Sequence, residues 1–94
     1  MNIFSLMKPS TIVITGTSSG IGLATALYFA QQGWQVAATL RQPQKAPEAL
    51  QHPNIKCFAL DVTSTESVTT AIEAIINTFG RIDVLVNNAG YGVD

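Results

Sequence analysis

Thr15-Gly16-Thr17-Ser18-Ser19-Gly20-Ile21-Gly22 is the stretch that decides how this chain is read. It joins the β-branched run Thr11-Ile12-Val13-Ile14 to a helix-like segment that extends from Gly20 to Gln32. A glycine-rich turn between a strand and a helix is a phosphate site. The first N–H groups of a helix have no partner inside the helix, and the helix dipole adds partial positive charge there. Glycine lacks a Cβ, so the main chain can approach a diphosphate closely. The turn therefore points to a bound nucleotide.

The rest of the chain alternates strand and helix signals. Thr11 to Thr15 reads as a buried strand and Gly20 to Gln32 as a helix closed by Gly33. Leu23, Ala24, Ala26, Leu27, Phe29 and Ala30 leave that helix little polar face, which predicts packing on two sides. Gln35 to Leu40 is a second strand. Pro43, Pro47 and Pro53 then punctuate a polar stretch expected to be loop with at most a short helix. Ile55 to Leu60 is a third strand. Thr63-x-x-Glu66 has the form of a capping box ahead of a helix whose apolar residues run from Val68 to Phe79, with Gly80 as its stop. Ile82 to Val86 is a fourth strand, ending in Asn87-Asn88-Ala89-Gly90. This order predicts an α/β fold, a parallel sheet with right-handed crossovers and strand order 3-2-1-4. Both Gly16 to Gly22 and Asn87 to Gly90 then fall at the point where the strand order reverses, the usual place for a nucleotide.

Composition narrows the partners. The 94 residues are one domain or part of one, nearly half hydrophobic, with a net charge of −1. Such a balance gives no electrostatic reason to expect nucleic acid or an anionic membrane as partner. Cys57 is the single cysteine, which rules out a disulfide framework and a cysteine-based zinc site and points to a reducing cytoplasm. The apolar N-terminus has neither the basic flank nor the small-residue cleavage site of a signal peptide. Mid-strand Cys57 reads as an inert core residue, His52 as a solvated loop histidine, and Trp34 as packing at the base of the sheet. No Gly-Lys-Ser/Thr follows the glycines, which argues against a P-loop NTPase.

Three motifs at compatible spacing resemble the short-chain dehydrogenase/reductase family: Thr-Gly-x-x-x-Gly-Ile-Gly at 15–22, Asp61-Val62 after the third strand, and Asn-Asn-Ala-Gly at 87–90. The resemblance covers almost the whole chain, from Thr11 to Gly92, and implies a Rossmann-like, incomplete doubly wound domain over residues 1–94. It implies that Gly16, Gly20 and Gly22 form the turn, the approach to diphosphate and the close helix packing. Ser18, Ser19 and Ile21 would donate to phosphate and ribose, Asp61 would bond the adenine amino group, and Val62 would flank the ring. Ala89 and Gly90 would line the ribose. Asn87 would bridge the fourth strand to its neighbours, and Asn88 joins the cofactor-binding set, although both are also residue types that simply end a strand. Arg41 could likewise be a solvated loop cation, and Asp61 could merely cap the following helix.

The end of the second strand selects the cofactor. Thr39-Leu40-Arg41 contains no acid for a ribose 2′-hydroxyl, whereas Arg41 offers a planar guanidinium to a 2′-phosphate. NADP is therefore expected over NAD. The family reaction moves a hydride between nicotinamide and a carbonyl or alcohol carbon of a small molecule, with a tyrosine and a lysine four residues apart handling the proton. Tyr28 is followed four residues on by Gln32, and Tyr91 lies within four residues of the last residue, so this chain reads as the cofactor-binding half and is expected to be inactive alone. The alternatives are a non-catalytic nucleotide-binding module and an inactive truncated remnant. Val84-Leu85-Val86 is expected to be an open apolar edge that favours a homo-oligomer.

Overall fold

The structure is a computed structural model and describes residues 9–88. Strand β1 (Thr11–Thr15) leads into α1 (Gly20–Gln31), β2 (Gln35–Leu40), two short 3-10 turns (Pro43–Lys45 and Glu48–Leu50), β3 (Ile55–Ala59), α2 (Thr65–Phe79) and β4 (Val84–Val86). The four strands form one parallel sheet in the order β3-β2-β1-β4. The topology expected from the sequence is the one found. Proline accounts for the 3-10 turns: Pro43 opens the first and Pro47 precedes the second, and each breaks the backbone bonding a longer helix needs.

Alternate residues of β1 and β2 serve the two faces of the sheet. Ile12, Ile14, Val36 and Ala38 pack beneath α1 with Ala26, Ala30, Leu50 and Ile55. Val13 and Ala37 face α2, where Ile75 is buried among Phe58, Phe79 and Ile82. A parallel strand covered on both faces has no polar alternation, which is why β1 and β2 read as continuous apolar runs. Helix α1 departs from expectation. Among the described residues it packs on one side only, through the line Gly22, Ala26 and Ala30, while Ala24 and Tyr28 are exposed and Leu23, Leu27 and Phe29 pack on the core from its flanks. Small residues four apart let the helix axis come close to the sheet, so a narrow strip carries the contact. Trp34 packs at the foot of β2, edge-to-face on Phe29 at 5.1 Å between ring centres.

Four boundaries shift from their expected places. Helix α1 ends at Gln31, one residue early, with Gln32 as its C-cap. The cap of α2 is Ser64, whose Oγ accepts from Ser67 N–H at 3.1 Å. Thr63 is not the cap because its hydroxyl is turned back, donating to Asp61 Oδ1 at 2.6 Å. Ser67 Oγ in turn accepts from Asp61 N–H, so two serines do what the expected threonine–glutamate pair would have done. Strand β3 ends at Ala59, although Leu60 N–H still bonds Leu40 C=O. Strand β4 begins at Val84, because Asp83 takes over the preceding ladder position: its N–H donates to Thr11 C=O while its carboxylate, at 2.7 Å, accepts from Thr11 N–H. Arg81 closes that carboxylate from the other side at 2.6 Å.

Strands β3 and β4 are the two outer strands of the sheet among the described residues, and Leu85 of β4 is 60% exposed. The α2 face of the sheet is correspondingly thin, with Val68 and Ile76 also open to solvent.

Two predictions test this account. Ser64→Ala should cost about 1 kcal/mol in urea unfolding, the usual worth of a helix cap, and Glu66→Gln should cost less than half of that; equal losses would restore the capping box at Thr63. Bonds from Arg81 and Thr11 hold the Asp83 carboxyl below the usual carboxylate range. A lowered folded pKa stabilises the fold above the unfolded value near ~3.9 and loses that contribution as pH falls through the folded value. Thermal midpoints of wild type and Asp83→Asn should therefore differ at neutral pH, wild type higher, and converge once pH has fallen through the lowered folded value.

Candidate functional site

The glycine turn is held from both sides by hydroxyls and amides. Thr17 is fully buried, and both its N–H and its hydroxyl point to Thr39 C=O, the hydroxyl at 3.1 Å. Thr39 is buried as well and donates its hydroxyl to Ile14 C=O at 2.9 Å. On the other side, Thr15 Oγ1 accepts from Asn88 N–H at 2.7 Å and lies within reach of Asn87 Oδ1 and Val86 C=O as a donor. Asn88 Nδ2 then donates to Gly16 C=O at 3.2 Å. The ends of β1, β2 and β4 are thereby tied to one turn. Thr15, Thr17 and Thr39 were not singled out from the sequence; the available signal was three threonines clustered at the carboxyl ends of apolar strands, where a hydroxyl must find a carbonyl.

Close packing explains the last glycine of the motif. A Cβ on Gly22 would enter the Gly16 carbonyl and stand 2.8 Å from Asn88 Nδ2. Gly20 serves a different purpose: its φ is +60°, and a Cβ there would meet nothing within 4 Å. The first is a packing constraint, the second a backbone constraint on an open surface.

What the turn presents outward is a bare helix start. Ser19 stands in the cap position of α1 with extended backbone, makes no side-chain cap bond, and the first turn carries no acid. Helix α2 has both of these, the Ser64 cap and Glu66. Ser18 is half-buried, while Ser19, Gly20 and Ile21 are exposed, Ile21 by 76%. The amides at this end face solvent beside two hydroxyls, an arrangement suited to an anion.

The remaining candidate residues flank the turn. Arg41 follows the buried Leu40 and shares a hollow of about 330 Å³ with Ser18, Gln42 and Lys45. Asp61 follows β3, and the hydroxyl and N–H of Thr63, with the Arg41 charge behind them, hold its carboxyl below the usual range. Asp61 thus organises the lead-in to α2 without being its cap. Val62 belongs to a second, mostly apolar hollow of about 220 Å³ against Thr15, Thr39, Leu85 and Asn87. Ala89 and Gly90 lie outside the described residues. Away from this end, Cys57 is half-buried in β3 with its thiol pushed up by burial, and His52 Nδ1 accepts from Asn54 N–H within its own turn.

Substitutions at the two glycines should separate packing from presentation. Gly22→Ala is expected to cost about 2 kcal/mol or more in urea unfolding, since Asn88 and the Gly16 carbonyl must both give way. Gly20→Ala should cost about 1–2 kcal/mol, from left-handed backbone alone. The reverse order would contradict the packing described.

The family model described as short chain dehydrogenase matches residues 10–94. Over 87 residues the chain is 42% identical to a 3-ketodihydrosphingosine reductase of Bacteroides thetaiotaomicron, covering 93% of this chain and 30% of that protein. It is 42% identical over 83 residues to a serine 3-dehydrogenase of Agrobacterium fabrum, covering 85% of this chain and 33% of the relative. Among solved structures, a metagenomic short-chain oxidoreductase in complex with NADP superposes with a TM-score of 0.78 at 29% identity, over 89% of this chain and 41% of that one. A short chain dehydrogenase from Bacillus anthracis gives a TM-score of 0.78 at 41% identity, over 87% of this chain and 35% of that one. The chain spans about a third of the length of these curated relatives. With the parallel sheet, the glycine turn and the family match in agreement, this chain belongs to the short-chain dehydrogenase family.

Proposed function

We propose that the chain forms the NADP-binding portion of an oxidoreductase that exchanges a hydride between a nicotinamide and a carbonyl or alcohol carbon of a small molecule. The observation that carries this reading is the contrast between the two helix starts. α2 is capped by Ser64 and carries Glu66, whereas α1 has no side-chain cap bond and no acid in its first turn. Leaving that end bare lowers intrinsic helix stability, which is reasonable where a diphosphate supplies the missing acceptors. The Cβ-free, open face at Gly20 fits close approach of such a group.

In this reading Gly20, Ile21 and Gly22 offer backbone amides to the diphosphate, with Ser18 and Ser19 beside them. Gly16 shapes the turn. Asp61 and Val62 hold the adenine end, and Asn88, Ala89 and Gly90 line the ribose side. The Asn88 amide has a second duty, since it already bonds Gly16 C=O and so positions the turn itself. Arg41, past the end of β2, selects NADP over NAD through its guanidinium, and the relative in complex with NADP supports that choice. The nicotinamide supplies the hydride chemistry when bound.

The protein groups for proton transfer are a separate matter. The 94 residues contain no tyrosine with a lysine four positions on. By themselves they are proposed to bind the nucleotide without turning over a substrate. A non-catalytic nucleotide-binding module or an inactive remnant fits the same sequence feature. Among the described residues no helix is long and apolar enough to cross a membrane, and the single cysteine accords with a reducing cytoplasm.

Titration of the full chain with NADPH and NADH, followed by calorimetry and by thermal shift, tests the reading. NADPH should bind at least about tenfold tighter, equivalent to one charge-assisted contact, and should raise the melting temperature. Equal affinity would remove the role given to Arg41. No binding of either nucleotide would remove the nucleotide site.

A further inference from the structure

A buried carbonyl near the end of β2 takes two bonds from one residue. Thr39 C=O accepts from Thr17 N–H at 3.3 Å and from the Thr17 hydroxyl at 3.1 Å. The N–H alone would already satisfy that carbonyl, because one partner is enough for a buried acceptor. The hydroxyl is therefore not needed to avoid an orphaned group. Its worth lies in what it holds still.

A lone N–H bond fixes a distance and leaves the residue free to pivot about it. A second bond from the same residue to the same oxygen closes a small ring and removes the pivot. Thr17 is fully buried and Thr39 is 1% exposed, so water does not compete for either bond. Thr39 is itself anchored, since its hydroxyl donates to Ile14 C=O at 2.9 Å. Strand β2 thus grips the chain at Ile14 and again at Thr17. Between the two grips lies Gly16, in left-handed backbone at φ +67°. Glycine gives that bend little stiffness of its own, and the clamp supplies it.

Thr17 also stands where stiffness matters to a ligand. It is the last buried residue before the start of α1: Ser18 is half-buried, and Ser19 and Gly20 are exposed. The helix start that follows has no side-chain cap bond to steady it. A pivot at Thr17 would swing the amides of that start, whereas a fixed turn loses less conformational freedom when an anion binds.

We propose that Thr17 is a positioning residue, whose buried hydroxyl locks the glycine turn to Thr39 and thereby sets how tightly the start of α1 holds a diphosphate. The inference rests on the nucleotide reading above and adds to it a side chain that is shut off from the ligand. Thr17 acts through the backbone it fixes, and the Ile14 bond of Thr39 gives it a firm base.

Calorimetric titration of the full chain with ADP, run beside urea unfolding, tests this role. Thr17→Val keeps the side-chain shape and loses the hydroxyl, while Thr17→Ser keeps the hydroxyl and loses the methyl. Each should lower the urea midpoint by about 1 M or less, the first through a lost bond and the second through a methyl-sized gap. Their ADP affinities should part: Thr17→Val binds roughly three- to tenfold more weakly, and Thr17→Ser stays within about twofold of wild type. Thr17→Ala is a second hydroxyl-free variant and should lose at least as much affinity as Thr17→Val. Circular dichroism of each variant checks that the fold is kept. An unchanged ADP affinity in Thr17→Val overturns the inference. Equal losses in Thr17→Val and Thr17→Ser overturn it too, because binding would then follow fold stability and not the hydroxyl. If wild type binds ADP and every variant matches it, the role of Thr17 falls and the nucleotide site stands. If wild type binds no ADP, the nucleotide reading falls and the role of Thr17 falls with it.

Discussion

The Gly16 carbonyl is the point on which the site turns. Two groups converge on it: the Cα of Gly22, which leaves no space for a Cβ, and the Asn88 amide, which donates to it. One contact brings the first turn of α1 against the end of β1, and the other brings β4 to the same place. Neither survives unless β1 and β4 are neighbours, so the 3-2-1-4 order is a precondition of this carbonyl's environment. Conversely, the carbonyl fixes where the helix start can sit. With Gly16 C=O engaged by Asn88 and Thr17 N–H bonded to Thr39 C=O, the first residues of α1, Gly20 and Ile21, are left exposed.

Holding a helix start bare is costly in a domain of this size, which buries only a modest fraction of its surface. The structure offsets the loss by tying the turn down with buried hydroxyls instead of capping it. Thr17 and Thr39 bond across β1 and β2, and Thr15 links β1 to β4. Among the described residues every buried side-chain polar atom has a partner. The turn is therefore tied down at its base and uncapped at its tip, the arrangement that the proposed diphosphate would complete. At the opposite end of the sheet the Asp83 carboxylate does the complementary job, starting the β1–β4 ladder where regular backbone pairing would be weakest.

Much of this was legible in the residues. Continuous apolar runs gave β1 and β2 to the residue, since strands buried on both faces cannot hide among polar ones. Glycine spacing located the turn, and the alternation of elements led to the strand order. Local side-chain competition was not legible. Whether Thr63 or Ser64 caps α2 depends on Asp61, which captures the Thr63 hydroxyl, and that choice appears only once β3 and α2 are placed. The one-sided packing of α1 was hidden for a related reason. Leu23, Leu27 and Phe29 look like core by type, but Gly22, Ala26 and Ala30 bring the helix so near the sheet that larger neighbours are pushed to its flanks. Residue type described the helix as apolar, and residue size decided its orientation.

Electrostatics shows the same division between what a residue is and where the fold puts it. Arg41 was marked by its position after β2, and Asp61 by its position after β3. Parallel pairing of those two strands brings both residues to the same end of the sheet, where the arginine charge helps hold the carboxylate low. The arginine assigned to a phosphate in the proposed site therefore also stabilises the carboxylate expected near adenine, and substituting either changes the field at the other. On the proposed reading, selection of the adenosine end is consequently a property of the β2–β3 pair and the turn between them, while diphosphate binding is a property of β1, α1 and β4. The two halves of the site meet through the Thr17–Thr39 bond, which joins the glycine turn to the last residues of β2. On that reading, a change in this bond would shift the proposed phosphate cradle relative to the cation hollow and alter cofactor preference.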